Sequence, residues 1–142
     1  MNPSQMRYEW NKLPWRKVEV TVFKLQKRIY RASLNNQVKQ VHRLQKLLLC
    51  STNAKLLAVR KVTQDNQGRN TPGIDGVAKL TQVARLDLVK KMKLDEKSKP
   101  VRRIWIPKPG KSEKRPLGIP TIEERGKQAL VKMALEPEWE AQ

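Results

Sequence analysis

Four cations crowd one Pro/Gly turn in the last third of the chain: Lys108, Lys111, Lys114 and Arg115 in KPGKSEKR. Phosphate groups are held where several cations converge on a backbone that can approach closely, and a glycine turn supplies that approach. The turn is not a Walker loop, because GxxxxGK followed by Ser or Thr is absent. The same residues also fit a solubilising turn between edge strands, whose lysines block edge-to-edge pairing. Asp65, Asp75, Asp87 and Asp95 are the other candidates for chemistry, since two-metal phosphoryl transfer gathers carboxylates around Mg²⁺. None of them forms a D-x-D or D-D pair, Asp75 sits in a turn sequence and Asp95 at a helix end. Local structural roles account for them better. Cys50 and His42 are the only residues of their types. An internal disulfide is therefore excluded, a Cys/His zinc site or a His-based triad is disfavoured, and no metal site is expected.

The balance of charge sets the class of partner. Thirty-one Lys and Arg stand against 13 Asp and Glu, a formal charge of +18, with a pI near 10.5. Self-repulsion on that scale favours a polyanionic partner, with nucleic acid first and a membrane surface second. No run of about 18 apolar residues is present to span a bilayer. The start, MNPSQMRYEW, lacks the apolar core of a secretory signal, and the single cysteine fits a reducing compartment. The expectation is a non-secreted protein, cytoplasmic or organellar. Basic residues concentrate locally: eight cations and one anion (Glu113) lie between Lys97 and Arg115. After Thr121 the carboxylates outnumber the cations.

The elements that must position these groups follow from periodicity. Residues 1–14 read as a loose leader anchored by Trp10. Val18, Val22, Leu25, Ile29 and Ala32 recur at spacings of three and four, one face of a helix that begins at Trp15; Ser33 to Asn36 break it. VFKLQKRI at Val22–Ile29 is repeated as VHRLQKLL at Val41–Leu48, nineteen residues on. Two helices of one pattern joined by a short loop predict an αα-hairpin. A third helix is expected from Ser51, or with Thr52 as its cap, to Val62. DNQGRNTPGIDG, Asp65–Gly76, reads as loop, with Pro72–Gly73 as the centre of a type II turn. A helix over Leu80–Leu94 follows. Alternation then gives a strand over Val101–Pro107, a second extended piece over Arg115–Pro120, and a last helix capped by Thr121 and closed at Pro137. The basic helical hairpin fits either a surface that tracks a nucleic-acid backbone or a solvated face on an ordinary bundle. The tryptophans are scattered, and neither an RNP-type aromatic strand nor a GXXG loop is present.

Taken together, the LQ-containing helices, AVRKVTQDNQG, NTPGIDG and IPKPGK…KRPLGIPTIEER resemble the N-terminal part of group II intron reverse transcriptase/maturases. The resemblance runs from the Trp10/Trp15 leader to the ALEPEWEA ending. RPLGIPT after IPK, with TPGIDG upstream, is its most specific part. It implies an α+β fold, mostly α: an N-terminal helical bundle or hairpin, then a small antiparallel fingers-type β-hairpin and a C-terminal helix. The implied division is 1–66, a basic helical extension, and 67–142, the RT0 loop with part of the fingers. Thr71, Pro72, Gly73, Ile74, Asp75 and Gly76 would lid the template and primer. Lys108 and Arg115 would contact the incoming nucleotide's triphosphate, neutralising the leaving pyrophosphate. Lys24, Lys27, Arg28, Arg31, Arg43, Lys46, Arg102, Arg103, Lys111 and Lys114 would bind the RNA backbone. The implied partner is RNA, an intron or a template, with DNA as a further candidate.

Two departures qualify the resemblance. The family's metal-binding palm aspartates, including its YADD-type pair, lie beyond this region, as do the thumb and endonuclease parts. The expectation is an RNA-binding fragment that is catalytically incomplete, with no cofactor of its own and Mg²⁺ only alongside a palm. One chain of a split reverse transcriptase, its palm on a second chain, is an alternative; a repurposed basic scaffold is another. The second departure is local. Glu124 stands where the family has Asp before Arg125, and Gly126 falls inside a predicted helix, at about 1 kcal/mol relative to Ala.

Overall fold

The computed structural model describes residues 10–65, 72, 79–92, 102–107, 110 and 114–142. The fold is mostly helical, as expected. A single 3₁₀ turn, Trp10–Lys12, leads into α1, Trp15–Leu34. The apolar spacing read from the sequence is the buried stripe: Val18, Val22, Ile29 and Ala32 face the core and Leu25 is partly buried. α1 runs two residues, Ser33 and Leu34, into the predicted break. Asn36 takes φ 55°, the Asn36 amide donates to Ser33 O at 3.1 Å, and the Gln37 amide donates to Ala32 O at 2.9 Å. This pair of bonds closes a Schellman motif, with Asn tolerating the left-handed position.

The short connection brings α2, Val38–Leu49, back against α1, giving the αα-hairpin. Val41, Leu44 and Leu48 continue the core. Ser51 caps α3, Thr52–Arg60, its Oγ accepting from the Ala54 amide at 3.3 Å. The chain then widens into a π-helical turn, Lys61–Asp65, where α-helix to Val62 and then loop were expected. Thr63 Oγ1 donates to Val59 O at 2.7 Å, a local side-chain bond that competes with the regular ladder. α4, Gln82–Lys91, is shorter than the predicted 80–94; Thr81 caps it through the Ala84 amide at 3.2 Å.

β1, Arg102–Pro107, and β2, Lys114–Ile119, pair antiparallel, with Arg102 opposite Ile119 and Pro107 opposite Lys114. Gly110 lies between them at φ +71°, a turn conformation that glycine adopts without strain. Trp105, opposite Pro116, is exposed. α5, Ile122–Glu140, starts at fully buried Thr121, whose Oγ1 accepts from the Glu124 amide at 3.2 Å. Glu123 and Glu124 in its first turn favour the positive helix end, and both reach Lys127 at 3.8 and 3.7 Å. α5 lies against α1, α2 and α3, so the core draws on both halves of the sequence, from Trp10 to Ala134. Leu48 and Leu130 are fully buried there, each worth about 1.5–3 kcal/mol over exposure. Gly126 has a packing reason: a Cβ at that position would lie 3.0 Å from Met92 Sδ, and Met92 is itself fully buried.

The expected helix end at Pro137 is wrong, for a reason that also explains the internal repeat. α5 runs through Pro137 to Glu140. Proline has no amide to donate, so the carbonyl four residues back, Met133 O, loses its helical partner. Gln26 Nε2 of α1 donates to that oxygen at 3.0 Å. Gln45 Nε2 of α2 donates to the next carbonyl, Ala134 O, at 3.2 Å and to Glu138 Oε2 at 2.7 Å. Gln26 and Gln45 are the same position of the repeated LQK sequence. The hairpin uses its repeat to grip two successive carbonyls of one interrupted helical turn.

Candidate nucleic-acid interface

Across residues 15–49 nine cations face one carboxylate, Glu19. Every cation that the sequence assigned to this region is exposed: Lys24, Lys27, Arg28, Arg31, Arg43 and Lys46. Their exposure follows from helical phase. Lys24, Arg28 and Arg31 are spaced by four and three, away from the buried valines, and therefore share one face of α1. Lys24 and Arg28 meet Leu47, Cys50 and Ser51 around a cavity of about 550 Å³ beside the α1–α2 hairpin and the start of α3. Arg43 lines a second open hollow of about 580 Å³ with Lys39 at the start of α2. Lys39 was not singled out in the sequence; its position four residues before Arg43 is the signal that places both on one face.

Lys27 is separated from this group. Its Nζ sits 5.1 Å from the centre of the Phe23 ring, in a groove between α1 and α5. Arg31 and Lys46 lie in the last turns of their helices, where a cation complements the helix dipole. Arg102 and Arg103 occupy β1 opposite Ile119 and Gly118, and Lys114 and Arg115 begin β2 opposite Pro107 and Ile106. Lys108, Lys111, Thr71 and Gly73 to Gly76 lie outside the described residues; of the TPGIDG loop only Pro72 is described. Among the described residues, no group of three or more His, Cys, Asp or Glu is placed to hold a metal ion. No helix among them is long and apolar enough to cross a membrane.

Two tryptophans serve the fold. Trp10 is fully buried, its Nε1 donating to Gln64 Oε1 of the π-helical turn at 3.0 Å. Trp15 Nε1 donates to Trp10 O at 3.1 Å, and the rings meet edge to face with centroids 4.8 Å apart. Arg85 of α4 lies over Trp10 and Arg60 of α3 over Trp15, at 5.8 and 5.0 Å. Desolvation by burial lowers the Arg85 pKa from its ordinary value. Both cations are engaged within the fold by these aromatic contacts, and Arg60 also pairs with Glu19 at 3.0 Å.

The family described as the N-terminal domain of reverse transcriptase matches residues 10–92. That span opens at Trp10 and ends at Met92, both fully buried. Protein YkfC of Escherichia coli (strain K12) is 39% identical over 106 residues, covering 70% of this chain and 28% of that protein. Maturase-like protein 1 of Euglena gracilis is 33% identical over 138 residues, covering 89% of this chain and 28% of that protein. Maturase-like protein 1 of Euglena longa is 37% identical over 70 residues, 49% of this chain and 15% of that protein. The chain thus spans little more than a quarter of the first two relatives. It belongs to the family of reverse transcriptase N-terminal domains, as the N-terminal region of a reverse transcriptase/maturase of the group II intron type.

Proposed function

We propose that residues 1–142 are the RNA-binding N-terminal part of a group II intron-encoded reverse transcriptase/maturase. The observation that carries this reading is the excess of exposed cations on α1 and α2, nine against one carboxylate over residues 15–49, of which Lys24, Arg28, Arg31, Lys39, Arg43 and Lys46 do not line the α1–α5 groove. Lys24, Arg28, Arg31, Arg43 and Lys46 contact successive phosphates of intron or template RNA, and each contact releases counterions. Lys39 joins them. DNA is a second polyanion that the same surface attracts. In this reading 1–66 is the RNA-binding extension and 67–142 carries the template lid, Thr71–Gly76, and a fingertip hairpin. Arg102, Arg103, Lys111 and Lys114 add phosphate contacts at that hairpin, while Lys108 and Arg115 hold the triphosphate of an incoming nucleotide. The carboxylates that would hold Mg²⁺ for DNA synthesis belong to a palm outside residues 1–142, in the same polypeptide or on a second chain. The protein works in the cytoplasm or an organelle.

Primer extension tests the division of labour. Residues 1–142 alone give no extension with Mg²⁺ and deoxynucleotides, and a palm-bearing chain supplies it. In that reconstituted system, Lys108→Ala with Arg115→Ala lowers nucleotide use roughly 100-fold, the scale expected for removing phosphate-stabilising groups, and leaves RNA affinity nearly unchanged. Equal losses in both would sink the triphosphate assignment, and extension by residues 1–142 alone would overturn the placement of the chemistry elsewhere.

A further inference from the structure

One leucine interrupts a line of cations on α2. Lys39, Arg43 and Leu47 follow one another at intervals of four along one side of the helix, each step rising about 6 Å. Leu47 is 53% exposed where a third cation would continue the line. A lone exposed leucine is ordinary. This one lines a hollow of about 550 Å³, together with Lys24, Leu25 and Arg28 of α1 and Cys50 and Ser51 just before α3.

The lining selects the occupant. Leu25 and Leu47 supply apolar surface, and Leu25 is held by its packing against the core. Lys24 and Arg28 supply charge. Among the described residues that line this hollow none is a carboxylate, whereas Glu19, Glu136 and Glu140 line the α1–α5 groove. The ion pairs among the described residues engage Arg60, Lys127 and Lys132, and neither Lys24 nor Arg28. Ser51 Oγ accepts from the Ala54 amide, which leaves its own proton to donate. A flat, largely apolar body with polar edges and an attached anion matches such a lining, and a nucleotide is that body. The volume lies within the range of about 300–1,000 Å³ usual for small-molecule pockets. Duplex RNA cannot fill it, because its bases stay stacked and only an unpaired nucleotide can be splayed out. We propose, resting on the RNA-binding reading of α1 and α2, that this hollow takes the base of an unstacked nucleotide while Lys24 and Arg28 hold its flanking phosphates. Among the described lining residues none is aromatic, so the hollow selects unpaired over paired RNA rather than one base over another.

Cys50 reports on the hollow directly, being exposed, part of the lining and the only cysteine. Its modification by N-ethylmaleimide is followed on the 142-residue chain with an oligouridylate of about 12 nucleotides, and again with an RNA duplex of the same length. With each RNA about tenfold above its own dissociation constant, the oligouridylate should slow modification roughly 10-fold, to the share of chain left free, and the duplex less than about twofold. Leu47→Ser, at a half-exposed position, should weaken oligouridylate binding roughly 5-fold and leave duplex affinity and both salt slopes unchanged. Lys24→Ala with Arg28→Ala should instead flatten the salt slope for both RNAs. Salt-dependent binding of both RNAs with equal protection of Cys50 overturns the base pocket and leaves the cationic face standing. So does a Leu47→Ser chain with undiminished affinity for oligouridylate. Binding of neither RNA would remove the pocket and the RNA-binding reading together.

Discussion

Replacing Lys24, Arg28, Arg43 and Lys46 together with alanine lowers RNA affinity roughly 100-fold near 0.15 M salt, and does so alike for RNAs of different sequence. The magnitude follows from counterion release. Each neutralised phosphate contributes about 0.7 to 0.9 to the slope of log affinity against log salt, so four lost contacts remove about 3. All four side chains are exposed, so the substitutions leave the core intact and change stability by only about 0.5 kcal/mol each. Lys132→Ala is the matching control. Lys132 lies on α5, 3.4 Å from Glu136, away from the cationic face, and its loss should change RNA affinity less than twofold, roughly the limit for one screened surface charge. Filter binding or fluorescence anisotropy on the same RNA reads both. A quadruple variant that binds like the unmodified chain would remove α1 and α2 from the interface.

Replacing Gln26 with leucine destabilises the fold by about 1–3 kcal/mol, the penalty of a partly buried carbonyl left without a donor. The cause is specific and can be isolated. Met133 O needs Gln26 because Pro137 cannot supply the helical amide. In a Pro137→Ala background the backbone amide restored at that position donates to Met133 O itself, so the same Gln26→Leu change should cost less than half as much. Denaturant unfolding of the four members of this cycle gives the coupling, expected at about 1 kcal/mol or more between the two sites. Additive effects would mean that Gln26 acts only by filling space. Gln45 makes the companion bonds to Ala134 O and Glu138 Oε2, and Gln45→Leu should remain costly with or without the Pro137→Ala change.

These two results bear on different parts of what the sequence reveals. The core of the helical hairpin was legible, because periodicity alone puts Val18, Val22, Ile29 and Ala32 on one face and Val41, Leu44 and Leu48 on the next. The repeat itself was visible as VFKLQKRI and VHRLQKLL, but its use was not. The carbonyls that Gln26 and Gln45 contact lie 107 and 89 residues away, and no local pattern carries that distance. Pro137 misled for the same reason: the rule that proline ends a helix assumes an unmet carbonyl, and a side chain from another helix meets it. The cations were legible as a group and not as a geometry. Lys24, Lys27 and Arg28 are alike in composition, yet helical phase sends Lys27 over Phe23 while Lys24 and Arg28 meet around another cavity. The π-helical turn after Arg60 had no sequence signature, although Thr63 and the Trp10–Gln64 bond explain what it does.

The central claim is that the cationic face of α1 and α2 holds an RNA backbone, and salt tests it most directly. Affinity of the unmodified chain for one structured RNA, measured from about 0.05 to 0.3 M NaCl, should fall along a straight line on logarithmic axes. The exposed cations assigned to that face predict a slope steeper than about −3. A line that stays flat over the same range, or a slope no steeper than about −1, would contradict it.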